Sequence, residues 1–247
     1  MKAKICIVYS TPNDQNWCDN YSQEIISKSG LKPENIVVFP IINKREYSLS
    51  QAYNLGFRKF DEMIEENEYD DQEWIVCFCH HDIKFRSQNW GNIIFKTFNK
   101  YPDFGIIGVA GTDHLFPHMC WWLNQEGKNM SKYMSGRVWH FNGLREYESI
   151  YSEKINGIKE VVVVDGVCMF VDPCNIVEEF DETIPDYHFY DICLCLNNKL
   201  NDSELKIGVI DTISILHNSI GETNDMWEQC RQLAIRKYGQ YLPIEIK

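Results

Sequence analysis

Trp74, Ile75, Val76, Cys77, Phe78 and Cys79 form an unbroken apolar run that ends abruptly in His80, His81 and Asp82. A strand of that composition has to be covered on both faces, as happens in sheets flanked by helices, and three polar side chains cannot follow it into such a core without partners. The run therefore predicts a strand of an open α/β sheet with His80, His81 and Asp82 at its carboxyl edge. That edge is where sheets of this kind bind ligands. A carboxylate there can hold a hard divalent cation together with phosphate oxygens, and an imidazole can help bind manganese or hydrogen-bond a nucleotide. A strand end with merely solvated polar residues would look the same, so other segments must decide.

The surrounding pattern alternates. Residues 4–10 read as a buried strand followed by the loop Ser10-Thr11-Pro12-Asn13-Asp14, and 16–29 as a helix stopped by Gly30. A strand over 35–42 leads to Ser48, which can cap a helix whose apolar face carries Leu49, Ala52, Tyr53, Phe57, Phe60, Met63 and Ile64. After the strand that runs into Asp82 come a helix over 89–99 and a buried strand over 104–110. This βαβαβαβ order predicts a mostly parallel sheet flanked by helices, joined by right-handed crossovers. From 112 to about 160 the rhythm is lost, and a stretch rich in Trp, His, Asn and Gly predicts a long functional or mobile loop. A strand over 161–171 containing Asp165-Gly166, a helix over 187–199, a strand over 206–216 ending at His217 and a helix over 225–241 complete the chain. No repeat or linker interrupts it, so residues 1–247 read as one continuous domain.

Acidic residues outnumber Lys plus Arg by 36 to 24, a formal charge of -12 that repels a phosphate backbone and argues against general nucleic-acid binding. An anionic substrate would then need a local cation. The apolar run after the N-terminus is too short for a signal peptide and no segment approaches a membrane span, which predicts a soluble, cytoplasmic protein. Ten cysteines without a C-x-x-C pair predict buried free thiols in a reducing compartment. A zinc site is the rival metal chemistry: Cys77, Cys79 and His81 would share one strand face, and His80 and Asp82 the other. The C-x-C spacings do not supply the four ligands such a site normally takes.

Several segments, in this order, resemble bacterial and phage glycosyltransferase-like proteins of the GT-A fold, in particular a family 2-like group whose D-x-D-like metal motif begins with histidine. They are His80-His81-Asp82 after a strand, Phe104-Gly105-Ile106-Ile107-Gly108-Val109-Ala110-Gly111, Trp121-Trp122, Val164-Asp165-Gly166-Val167, Phe180-Asp181-Glu182, His188-Phe189-Tyr190-Asp191-Ile192 and Leu216-His217-Asn218-Ser219. The resemblance implies a GT-A domain with a nucleotide-sugar-binding half over 1–112 and an acceptor-binding, catalytic half over 113–247. It implies a UDP- or GDP-sugar donor, a glycan or other hydroxyl acceptor, Mn2+ or Mg2+, and inversion at the anomeric carbon. Asp82 matches the last acidic position of the metal motif and His217 the late histidine that completes the site. His80 stands where a second carboxylate is usual, as metal ligand or ribose contact. Asp191 matches the catalytic base, although a helix N-terminus favours a carboxylate for its own reasons.

Tyr9, Ser10, Thr11, Asn54 and His81 fall where the fold places the nucleotide. Asp165 and Gly166, Trp121, Trp122 and His188 fall where it places the sugar and acceptor. An internal ion pair would equally satisfy Asp165, and core packing the two tryptophans. Two positions depart from the family pattern: Tyr190 replaces a common Glu, and Cys193 an acidic residue. A carbohydrate-binding module of the same fold that has lost transfer is therefore the alternative reading. A nucleotidyltransferase is the third, without an obvious glycine- and lysine-rich phosphate loop.

Overall fold

A computed structural model of the chain describes residues 1–219, 221 and 223–246. Strand β1 (Lys4–Thr11) leads into helix α1 (Gln15–Ser29), which opens on the Asp14 carboxylate accepting the Trp17 N–H and closes on Gly30 at φ 73°. A Cβ there would face both the left-handed backbone and the Asn89 side chain at 2.3 Å, so glycine is the stop residue for two reasons. Strand β2 (Ile36–Ile42) precedes helix α2 (Leu49–Glu66), whose start is a capping box: Ser48 Oγ accepts the Gln51 N–H, and Gln51 Oε1 accepts that of Ser48. Strand β3 (Trp74–Cys79) is buried along its whole length, as its composition requires. Strand β4 (Ile83–Phe85), helix α3 (Trp90–Lys100), strands β5 (Phe104–Gly108), β6 (Ala110–Thr112) and β7 (His114–Leu115) follow.

The second half adds β8 (Met134–Phe141), β9 (Glu146–Ile150), β10 (Lys159–Val161), β11 (Val163–Val164), β12 (Cys168–Val171), α4 (Tyr190–Asn201), β13 (Lys206–Val209), β14 (Ile215–His217), α5 (Asp225–Tyr238) and β15 (Ile244–Glu245). Seven strands form the main sheet in the order β10-β13-β5-β12-β3-β1-β2. A second sheet runs β11-β6-β8-β14-β4, with β9 on the flank of β8.

The main sheet is mixed, not mostly parallel. β1 lies parallel to β2 and β3, and β5 to β13, but β12 enters antiparallel between β3 and β5, and β10 antiparallel to β13. The reversal is made where one long strand was expected over 161–171. There Asp165 Oδ1 accepts the Val167 N–H at 2.8 Å and turns the chain between the two sheets. Apolar composition gives burial but not direction, so the valines and Phe170 read the same either way. The expected strands 104–110 and 206–216 also divide, each contributing one piece to each sheet. Between 112 and 160, where a loop was expected, β8 and β9 pair as an antiparallel ladder from Arg137 opposite Ile150 to Phe141 opposite Glu146.

This topology positions the site. β4 pairs with β14 so that His217 lies opposite Ile83, and the Asn218 N–H bonds the Asp82 carbonyl at 3.0 Å. The ends of β3 and β14 are thereby held side by side. All ten cysteines are free, and among the described residues no helix is long and apolar enough to cross a membrane.

Candidate active site

β3 ends at Cys79, and the next residue is already fixed by its backbone. The His80 N–H bonds the Val167 carbonyl at 3.1 Å, and the His80 carbonyl accepts the Tyr21 hydroxyl at 3.0 Å. His80 Nδ1 then lies 3.3 Å from His217 Nε2 and 3.9 Å from Asp82 Oδ1, with His217 Nε2 3.4 Å from the same oxygen. Ser219 Oγ touches His217 Nε2 at 2.9 Å, and the Tyr190 hydroxyl meets the other His80 nitrogen, Nε2, at 2.8 Å. Burial, together with His217, pushes the His80 imidazole down to about 3, so it is neutral and one ring nitrogen carries a lone pair. Burial pushes the Asp82 carboxyl up, but its contact with the two imidazoles, hydrogen bonding from His217 first, together with Ser219, outweighs it and holds it well below the usual carboxylate range.

Two imidazoles and one carboxylate thus converge from both sheets, with donor atoms all within 4.8 Å of one another. Among the described residues it is the one such group of three or more His, Cys, Asp or Glu side chains. Nitrogen and oxygen donors at this spacing fit a divalent cation, and the neutral His80 and ionised Asp82 are in the protonation states that ligation needs. The thiolate alternative finds no such convergence.

Beside these donors opens a cleft of about 320 Å³ whose walls include Ser10, Thr11, Asn43, Arg45, His81 and Tyr187. Asn43 builds its far edge: buried, it donates to Ser10 Oγ and the Tyr47 carbonyl and accepts the N–H groups of Glu46 and Tyr47. The turn so formed carries Arg45 at φ 69° into the cleft. His81 packs edge-on against Trp17, 5.9 Å between ring centres. Arg45 and Tyr187 also border an adjoining hollow of about 760 Å³ that His188 helps to line.

On the other side, Asp191 lies in the first turn of α4. Its Oδ2 accepts the Gly166 N–H at 2.7 Å and its Oδ1 the Ile192 N–H at 2.8 Å. Burial and the neighbouring Asp165 carboxylate push Asp191 up to about 7 against those bonds, and burial raises Asp165 as well. Gly166 leaves space rather than unusual dihedrals: a Cβ there would stand 2.1 Å from the Tyr190 hydroxyl.

Four residues expected at ligand positions lie elsewhere. Tyr9 is enclosed, its hydroxyl on the Cys18 carbonyl and Ser22, because its side of β1 faces α1. Asn54 is held by Phe180 and Glu182, tying α2 to the segment before α4. Trp121 is in the core, edge-on to Trp122 and Tyr151, and Trp122 packs against Trp227 of α5. Conversely, His140 went unnoticed in the sequence. It pairs in register with His217 across β8 and β14, stacks on Tyr147, and keeps a buried Nδ1 without a partner among the described residues. Only the alternation of β8, masked by its many polar residues, could have revealed it.

Residues 6–238 match the model of the glycosyltransferase-like family. The chain belongs to that family. No curated protein matches the chain. Among solved structures, GalNAc-T7 with UDP, GalNAc and Mn2+ superposes at a TM-score of 0.53 and 9% identity, over 98% of this chain and 52% of that one. A197 from STIV overlaps at a TM-score of 0.47 and 10% identity, over 88% of this chain and 86% of that one. The glycosyltransferase-like chain therefore spans about half the length of GalNAc-T7, and the likeness is one of GT-A-type fold. Within that fold the family member carries a His/Asp triad able to hold a metal.

Proposed function

We propose that the protein is a metal-dependent glycosyltransferase that moves a sugar from a nucleotide diphosphate sugar to a hydroxyl acceptor, with inversion. The observation that carries this reading is the meeting of His80, Asp82 and His217 beside a cleft bounded by the loops after β1 and β2, with Asp191 bonded to Gly166, the neighbour of the Val167 whose carbonyl holds the His80 N–H. In this reading one continuous domain binds the nucleotide with residues 1–112 and the acceptor with 113–247. Two imidazoles favour manganese over magnesium, which prefers oxygen ligands. A divalent cation there would neutralise the charge that builds on the leaving diphosphate.

The chain's own residues supply the rest. Ser10, Thr11 and His81 line the nucleotide pocket, and Arg45 brings a fixed cation into a strongly acidic molecule. Asp165 and His188 hold sugar or acceptor hydroxyls, and Gly166 keeps Asp191 in place. Asp191 takes the proton of the acceptor hydroxyl as its oxygen bonds to the anomeric carbon and the bond to the diphosphate breaks on the opposite face. Its raised pKa makes it a stronger base than an ordinary carboxylate. A reducing cytoplasm suits ten unpaired thiols.

A second reading, a binding module without turnover, draws on one observation: both Asp191 oxygens already accept backbone N–H bonds, which a purely structural carboxylate would also do. Thermal-shift titration with UDP, GDP and their sugars, with and without Mn2+, tests the donor assignment. A rise that needs nucleotide and metal together supports it, and no rise with any pair overturns it. Donor hydrolysis that disappears in Asp82→Ala then favours the transferase, whereas metal-dependent binding without turnover on any acceptor favours the module.

A further inference from the structure

We propose that Tyr190 is a positioning residue that fixes which nitrogen of His80 faces the metal. The inference rests on the metal reading above.

The phenol is held from every side. Phe189, at φ 62°, turns the chain just before α4 so that Tyr190 points inward, where it is buried. Tyr53 meets its ring edge-on, with 5.6 Å between centres, and Phe180 lies 6.2 Å away. Gly166 supplies the room for the hydroxyl, since any side chain there would collide with it. The phenol hydroxyl thus stands 2.8 Å from His80 Nε2 with little freedom to leave.

A neutral imidazole has one N–H and one lone pair, and the partner of one nitrogen decides the state of the other. If the phenol oxygen accepts from Nε2–H, the Nδ1 lone pair is directed at the point shared with Asp82 Oδ1 and His217 Nε2. If the hydroxyl donates instead, Nδ1 carries the hydrogen and cannot ligate. Only the first arrangement is compatible with a cation at that point, and the fixed oxygen makes it available without rotating the ring. Outer partners of this kind commonly change metal affinity by about 10- to 100-fold when removed.

The test is Mn2+ binding by the purified protein, followed by titration calorimetry and by electron spin-echo modulation from directly bound nitrogen. Tyr190→Phe should weaken Mn2+ about tenfold or more, and the modulation should fall from two bound imidazoles to one. Asp82→Ala should abolish binding altogether. Gly166→Ala, which pushes on the hydroxyl from outside, should reproduce the loss of one nitrogen and serves if Tyr190→Phe does not fold. Unchanged affinity and two nitrogens in these folded variants, with Asp82→Ala inactive in binding, would overturn the positioning role and leave the metal site standing. Absence of Mn2+ binding by the wild type would overturn both.

Discussion

Asp191 Oδ2 accepts the backbone N–H of Gly166 at 2.7 Å, which joins the start of α4 to the turn between β11 and β12. Asp165, within that turn, bonds the Val167 N–H and faces Asp191 with a second carboxyl group. Burial raises both acids, and the Asp165 carboxylate adds to it at Asp191, which rises to about 7.

Transfer should therefore increase as pH rises through about 7, because the base must be ionised to take a proton. An Asp191→Asn variant should lose transfer by at least about a thousandfold while retaining donor affinity within about twofold. Initial rates across pH 5.5–8.5, with donor affinity measured alongside, check this. Loss of donor affinity equal to the loss of rate would remove Asp191 from the base role.

The same shift bears on stability. The folded carboxyl has the higher pKa, about 7 against about 3.9 unfolded, so the native state binds the extra proton between these values. Stability should fall as pH rises from about 4 to 7 and stay low above, by at most about 4 kcal/mol from this group. Asparagine escapes that penalty but, with one acceptor oxygen instead of two, leaves either the Gly166 or the Ile192 N–H without its acceptor, a loss of about 1 kcal/mol. Asp191→Asn should consequently melt higher than wild type at pH 8, with the advantage shrinking toward pH 5. Equal melting temperatures at both pH values would mean that the carboxyl is not strained in the fold.

The metal-binding group offers a sharper discrimination. Asp82, just before β4, and His217, at the end of β14, are brought together by the pairing of those two strands, and their ligand atoms lie 3.4 Å apart. Chelation should abolish activity and Mn2+ should restore it. Asp82→Ala and His217→Ala should each remove the melting shift produced by Mn2+ plus nucleotide. Circular dichroism of both variants should remain native. A variant that keeps the full Mn2+ shift would exclude its residue from the ligand set.

How much of this was legible in the sequence depended on the kind of signal. Trp74 to Cys79, Ser48 and Gly30 each carry a local physical requirement, and the strand, helix cap and helix stop stand where those residues place them. The direction of β12 left no such trace, since Met169, Phe170 and Val171 are buried whichever way they run. Likewise His80, His217 and Asp82 were visible at strand ends, but their convergence depends on β14 pairing with β4 across 130 or so residues, and single-sequence periodicity does not encode partners. Tyr9 and Asn54 misled because a position near a ligand loop says nothing about which way a side chain points. The phenol of Tyr190, noted in the sequence only as a departure, became interpretable once Gly166 and His80 lay beside it.

Gly136 marks where the second sheet tolerates no side chain. It sits at φ 98°, and a Cβ would lie 2.1 Å from the Val109 carbonyl oxygen, where backbone cannot easily retreat. Gly136→Ala combines a strained backbone with a steric clash and should destabilise the fold by about 3 kcal/mol. Urea denaturation would show this as a lower midpoint at unchanged slope. A midpoint within experimental error of wild type would mean that β8 shifts readily against β6, and with it the His140 strand.

Trp121 separates a core role from a ligand role most directly. It is buried among Trp122 and Tyr151, away from the cleft beside Asp82, so its truncation removes packing and no substrate contact. Large-to-small changes of this kind remove about 3–5 kcal/mol. Trp121→Ala should accordingly lower the denaturation midpoint steeply, while the folded fraction at low temperature binds donor and Mn2+ with wild-type affinity. Trp121→Phe, which keeps much of the apolar volume, should recover a large part of the stability with no change in binding. If instead both variants fold like wild type but lose affinity for the sugar while keeping that for the bare nucleotide, the indole must reach the ligand, and the wall formed by Trp121, Trp122 and Trp227 opens when donor binds.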